Sequence, residues 1–188
     1  MPPLFEFVQI IYWLALSTWF GGVLFIAIAA PIIFRTIRES DPTLPTVLSV
    51  NLEGQHSTLL GGSIMSNLIA MLVRVEVVCA AAVAVAIAIQ WGIHVQDWPI
   101  ALIRTALFVA ACMVVFYDWR FVWPRINEHR QKYIDHADEP EIANPARDQF
   151  DRYQRESMML LMGVVALLLG MIVFSTTISQ VRVLLSTR

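Results

Sequence analysis

The chain is 188 residues long, 57% hydrophobic and only 15% charged, with a formal net charge of -2. Ordinary soluble domains carry charge on about a quarter of their residues, so this balance excludes one; the absent basic surplus excludes a nucleic-acid binder. The two cysteines, Cys79 and Cys112, lie inside apolar runs, where they read as small buried hydrophobes and not as a disulfide framework or zinc signature.

A membrane helix needs roughly 20 apolar residues, and four runs supply them: 5–33, 64–90, 99–123 and 157–178. The first is read as a retained span and not a signal peptide. No Lys or Arg precedes it, its apolar core is long, and Pro31 follows the small-residue stretch "IAIAAP". Ser17, Gly21 and Gly22 within it are small enough to let helices approach closely. Arg35 and Arg38 follow in the first loop.

The second run contains "MLVRVEVVCAAAVAVAIAI", with Arg74 and Glu76 two residues apart in otherwise apolar sequence. At roughly 100° per residue they face directions about 200° apart, so each needs its own partner. Isolated ions at mid-bilayer cost several kcal/mol. A rise of ~1.5 Å per residue puts Glu76 about 20 Å from the cytoplasmic end of the span, close to the level of Arg104 in a core about 30 Å thick. We therefore expect Glu76 to pair with Arg104. Arg74 is expected to turn toward the cytoplasmic half and meet Asp118, or to find Tyr12, Ser17 or Thr18. Such a network either locks the bundle or marks a proton or ion path. One balanced pair and one extra arginine favour the lock, since structural ion pairs perturb their surroundings as catalytic ones do.

The second loop, "WGIHVQDW", has no Lys or Arg, whereas Arg120, Arg125, Arg130, Lys132, Arg147, Arg152 and Arg155 surround the third. The positive-inside rule then places the first and third loops in the cytoplasm and both termini outside. Trp91, Trp98, Trp119 and Trp123 sit at span ends, as an aromatic belt does. Residues 124–156 read as a helical hairpin. "PRINEHRQKYIDHA" is helical after Pro124, "DEPEIANP" is the turn, and "ARDQFDRYQRES" offers Arg147/Asp151, Asp151/Arg155, Asp148/Arg152 and Arg152/Glu156 as i,i+4 pairs. The hairpin is a solvated extension or a docking surface for a partner. In the fourth span Gly163 and Gly170 share a face.

Haem in a helical bundle needs axial histidine, and His56, His94, His129 and His136 all lie outside the spans. His129 and His136 are i,i+7 but lack a third ligand at metal spacing. Met65, Met158 and Met162 fall in the cytoplasmic half, with Met71 nearby. Thioethers suit soft ions such as Cu(I), but methionine is also flexible packing, and we expect the latter. The sequence offers no phosphate loop or nucleophile elbow, and we expect no pair of acids in an apolar pocket. We expect no enzyme and no cofactor.

"WFGGVLFIAIAAPIIF" (19–34), "GGSIMSNLIAMLVRVEVV" (61–78) and "FDRYQRESMMLLMGVVALLLG" (150–170) resemble the landmarks of a bacterial four-helix membrane family of unknown function, similar to the transmembrane protein 205 group. That pattern often carries a histidine before the fourth span where this chain has Gln154, so no role for it transfers. "WFGG" also resembles the first helix of copper-resistance-D-type membrane proteins. Their histidine, about two turns earlier, is Tyr12 here, which weakens a haem or copper assignment.

The expectation is an all-α integral membrane four-helix bundle in the bacterial inner membrane, with both termini external and a cytoplasmic hairpin between the third and fourth spans. Its expected role is structural or interactive, within the lipid bilayer and through a homo-oligomer or a membrane-protein partner on the hairpin. The alternative is a small-molecule or metal-ion transporter, followed by a haem or copper oxidoreductase. Reporter fusions test the orientation: one at Glu139 should read cytoplasmic and one at Arg188 external, because the basic residues of the third loop outweigh Arg182 and Arg188 in the tail. A cytoplasmic C-terminus would mean a miscounted span.

Overall fold

The computed structural model describes residues 2–40, 56–93, 97–136 and 139–186; residues 41–55, His94 and Arg188 lie outside them. The described elements are helical: α1 (Pro2–Ser40), α2 (His56–Gly92), α3 (Trp98–Tyr117), a π-helical turn (Asp118–Val122), α4 (Trp123–Asp135) and α5 (Pro140–Ser186). Four stretches are long and apolar enough to cross a membrane: Phe5–Ser40, Leu60–Gly92, Trp98–Asp135 and Pro140–Thr176. The described residues are helical throughout their elements, and four helices of this length and composition suit a multi-pass membrane protein. Helix is the physical solution in such a segment, because a lipid interior offers backbone N–H and C=O groups no other partner.

The helices outrun the apolar runs that announce them. Hydropathy marks only what lipid can cover, and nothing breaks the helix just after residue 33 or just before residues 64 and 157. Beyond residue 33, α1 continues with an Arg35–Glu39 ion pair at 2.7 Å and Ser40 Oγ donating to the Thr36 carbonyl at 2.8 Å. The turn expected over "DEPEIANP" is shorter than its two prolines suggested. Pro140 opens α5, where its missing N–H has no helical partner to lose. The Glu139 carbonyl receives the N–H groups of Ile142 and Ala143 at 3.0 and 2.9 Å. Pro145 is absorbed inside α5 on an exposed face. Among the described residues, none of the four i,i+4 pairs expected in this hairpin closes as an ion pair. Exposed partners there stay solvated, which is why such pairs contribute little.

One face of α1 is buried at every third or fourth residue (Val8, Tyr12, Leu16, Trp19, Val23, Ile26, Ala30), while Phe7, Ile10, Leu14, Phe25, Ile28 and Ile32 are exposed on the other. Both faces are apolar, as a helix packed on one side and facing acyl chains on the other requires. The helices form an open ring. α1 packs along α2 and α5, α5 along α3, and α4 folds back on the first part of α5, whereas α2 and α3 barely touch. The main core joins Leu16, Trp19 and Val23 of α1 to Val83 and Ile87 of α2 and Val164, Leu168 and Met171 of α5. A smaller core of Val122, Ile126 and Phe150 closes the hairpin.

The packing positions differ from those expected. Ser17 is exposed, and a Cβ on Gly21 or Gly163 would meet nothing within 4 Å. Both glycines carry the residue type of a helix interface without facing a helix. Gly22 and Gly170 do serve, with Leu72 and Leu107 at 3.2 and 3.3 Å from the Cβ position. The tightest approach is at Gly61, where a Cβ would stand 2.8 Å from the Phe34 ring. Gly61→Ala should therefore cost about 1–3 kcal/mol by overpacking, with much of the loss recovered alongside Phe34→Ala. Gly163→Ala should be neutral or gain up to ~1 kcal/mol from helix propensity. Thermal unfolding in detergent reads both, and equal effects at the two glycines would refute the close approach.

Candidate functional site

Two polar layers cross the bundle. The first centres on Arg104 of α3, which is 1% exposed. Its Nη2 donates to Gln90 Oε1 of α2 at 2.6 Å, and Gln90 Nε2 donates to Gln9 Oε1 of α1 at 3.1 Å. The guanidinium also lies over the Tyr12 ring, 5.2 Å from its centroid, a cation–π placement that gains from the dry surroundings. Tyr12 and Ser175 of α5 are hydroxyl to hydroxyl at 2.6 Å. Ser175 spends its single hydrogen on the Met171 carbonyl at 2.6 Å, so Tyr12 is the donor. Side chains of all four long helices thus meet around one cation. Its Nε and Nη1 have no partner in the structure.

The expected Glu76–Arg104 pair does not form. Trp19 Nε1 donates to Glu76 Oε1 at 3.1 Å, and Arg104 belongs to Gln90. Gln90 and Glu76 are separated by about 21 Å of helix at ~1.5 Å per residue, and descending α3 from Arg104 by the same length leads to Asp118. The apolar run 64–90 spans about 40 Å at ~1.5 Å per residue, longer than a bilayer core of about 30 Å, so matching depths counted from opposite ends brought Glu76 and Arg104 to one level falsely.

The second layer lies where α2 and α3 diverge. There they leave a cavity of about 690 Å³ whose lining includes Trp19, Arg74, Glu76, Cys112, Asp118, Trp119 and Trp123. Glu76 is 4% exposed. Asp118 Oδ2 accepts from Ser157 of α5 at 3.1 Å, while its Oδ1 is buried without a partner. Arg74 is exposed at the edge. It lines the same cavity as Asp118 but makes no ion pair with it among the described residues, and Tyr12 is already engaged elsewhere. The remaining walls are apolar (Ile69, Val73, Val77, Ala80, Val115 and Phe116), so two acids from different helices do share an apolar pocket, against expectation, because packing brings together residues 42 positions apart. Asp118 owes its place to a proline. Pro124 has no N–H and crowds the carbonyl one turn earlier. The helix widens ahead of it, so that the Trp123 N–H reaches the Asp118 carbonyl. Such π-turns recur at functional sites.

The other candidates do not converge. Met65 is buried and Met158 packs on the same core, but Met162 is 55% exposed; the three sulfurs do not share one environment. His129 stacks on Tyr153, with ring centroids 5.5 Å apart, and His136 lies 3.6 Å from Glu139. Gln9, Gln90, Ser157 and Ser175 are the participants that sequence reading passed over. Gln9 near the start of the first apolar run and Gln90 at the end of the second were the available signal. No family model, curated protein or solved structure matches the chain.

A double-mutant cycle on Arg104 and Gln90 should show coupling of about 0.5–3 kcal/mol, whereas Arg104 and Glu76 should add independently. Gln90→Leu alone should cost about 1.5–3 kcal/mol, the value of a hydrogen bond to a charged group. Arg104→Met should cost less than the loss of a paired ion, since two of the nitrogens it removes are unsatisfied. Unfolding in detergent measures the three single and two double variants; coupling to Glu76 instead of Gln90 would reverse the assignment.

Proposed function

We propose that this protein binds a small amphiphilic molecule inside the membrane, in the cleft between α2 and α3, and that it serves as a small-molecule carrier of the bacterial inner membrane. The observation that carries this reading is the cleft. Its 690 Å³ falls in the range of about 300–1,000 Å³ typical of ligand sites, and like them it combines apolar walls with a few convergent polar groups. A bundle with only a structural role would gain by closing its helices together. Here one edge of the ring stays open, and Val77, Phe116 and Trp119 on its rim are 61%, 57% and 53% exposed. A molecule dissolved in the bilayer reaches the polar groups sideways, without passing through water.

The excess of basic residues around the α4–α5 hairpin supports a cytoplasmic hairpin and external termini. The hairpin also supports the second reading, an interaction role. Arg125 lies over the Tyr153 ring at 5.6 Å and Arg130 donates to Ser63 of α2, so the hairpin is fixed against the bundle. A membrane-protein partner or a second copy of the chain would meet a preformed surface there. We assign no reaction and no cofactor.

Trp19, Trp119 and Trp123 line the cleft and report on it. A brominated single-chain amphiphile with an uncharged head should quench tryptophan fluorescence saturably. Ala80→Phe, which fills the cleft from α2, should abolish the saturable part while leaving helix content and the unfolding midpoint near those of the parent. Quenching that never saturates, or that ignores Ala80→Phe, would leave the interaction role as the better reading.

A further inference from the structure

Resting on the cleft as a binding site, we infer that its occupant is a cationic amphiphile: one ammonium group on a single apolar tail. The cleft is lined by two carboxylates, Glu76 and Asp118, and one cation, Arg74. Glu76 is almost wholly buried and has one oxygen held by Trp19. Asp118 has one oxygen held by Ser157 and the other buried with nothing to bond. Acceptors withdrawn from water and left unpaired are costly, and a buried carboxylate more so. Arg74 does not discharge them. It stands exposed at the edge, with no hydrogen-bond or ion-pair partner among the described residues. A donor brought in by the ligand would supply what the protein withholds.

The aromatic walls point the same way. Trp19, Phe116, Trp119 and Trp123 surround the carboxylates, and aromatic faces attract a quaternary or protonated amine as they do Arg and Lys. Depth fits an amphiphile. α3 runs 20 residues from Trp98 to Tyr117, about 30 Å at ~1.5 Å per residue and so the thickness of a bilayer core. Asp118 therefore stands at the opposite interface from Trp98, beside Trp119 and Trp123. A head bound there would lie at headgroup level, with its tail rising along Val77, Ala80 and Cys112. The volume suits one drug-sized molecule and not a two-chain lipid.

Three probes with the same dansylated alkyl tail test this in uncharged maltoside micelles: a primary ammonium head, a neutral amide head and a carboxylate head. The ammonium probe should bind roughly tenfold more tightly than the amide. Glu76→Gln and Asp118→Asn should each erase most of that preference, and an unfolding midpoint in detergent near that of the parent shows that each variant is folded. Added phosphatidylethanolamine should compete no better than phosphatidylglycerol. Equal binding of ammonium and amide, both lost in Ala80→Phe, would overturn the cationic head and leave the cleft reading intact. A carboxylate probe that binds best and depends on Arg74 would overturn it as well. Selective competition by phosphatidylethanolamine would overturn the single-tail occupant in favour of a lipid. If no probe binds saturably, the cleft itself is not a site, and this inference falls with it.

Discussion

A buried guanidinium without a counter-ion sets the shape of this bundle. Arg104 cannot reach water and has no carboxylate beside it, so its charge is spread over neutral acceptors and an aromatic face: Gln90 at 2.6 Å and the Tyr12 ring at 5.2 Å. Each of those groups is committed in turn, Gln90 to Gln9 and Tyr12 to Ser175. In a low-dielectric interior such a chain is either satisfied together or costly together. It fixes the rotation and height of all four long helices at one end of the molecule. The contact between Trp91 and Thr105 at 3.0 Å reinforces the same end.

Away from that end nothing draws α2 and α3 together. Side chains from α1 and α5 fill the space between their own neighbours, with Leu16, Val23, Leu168 and Met171 among them, but the seam between α2 and α3 has no equivalent. The helices are pinned where Gln90 meets Arg104 and separate below it. The cleft follows directly from this pin, and its lining acids are tied to the closed part of the ring, Glu76 through Trp19 and Asp118 through Ser157. These bonds hold the carboxylates in place without neutralising them. Fixed polar groups within an apolar cleft are what a selective ligand site requires.

Beyond the cleft the chain stays helical and becomes polar on its surface. Pro124 forces the wider turn that starts at Asp118, and α4 then folds back on α5 through Ile126 and Phe150. Gly62 lies against Phe150, at 3.7 Å from its Cβ position, so α2 also meets the hairpin. The hairpin and the cleft share Asp118 and its neighbours. Movement of one would be felt by the other through packed side chains and not through a flexible linker.

The sequence alone determined that the chain is helical and carries four segments long and apolar enough to cross a membrane, because apolar length and the need to satisfy the backbone in lipid are local properties. It also marked Arg74, Glu76, Arg104 and Asp118 as the charges that need explaining. It could not say who answers them. Partnership depends on the height and rotation of one helix against another, and those come from packing between residues far apart in the chain. Trp19 reaches Glu76 across 57 positions and Tyr12 reaches Ser175 across 163. Small residues misled for the same reason: Gly21 and Gly61 look equivalent in sequence, yet only Gly61 stands against a neighbouring ring. The cleft was the least legible feature of all. It is made by two helices that meet only at one end, and no pattern within either helix records a missing contact.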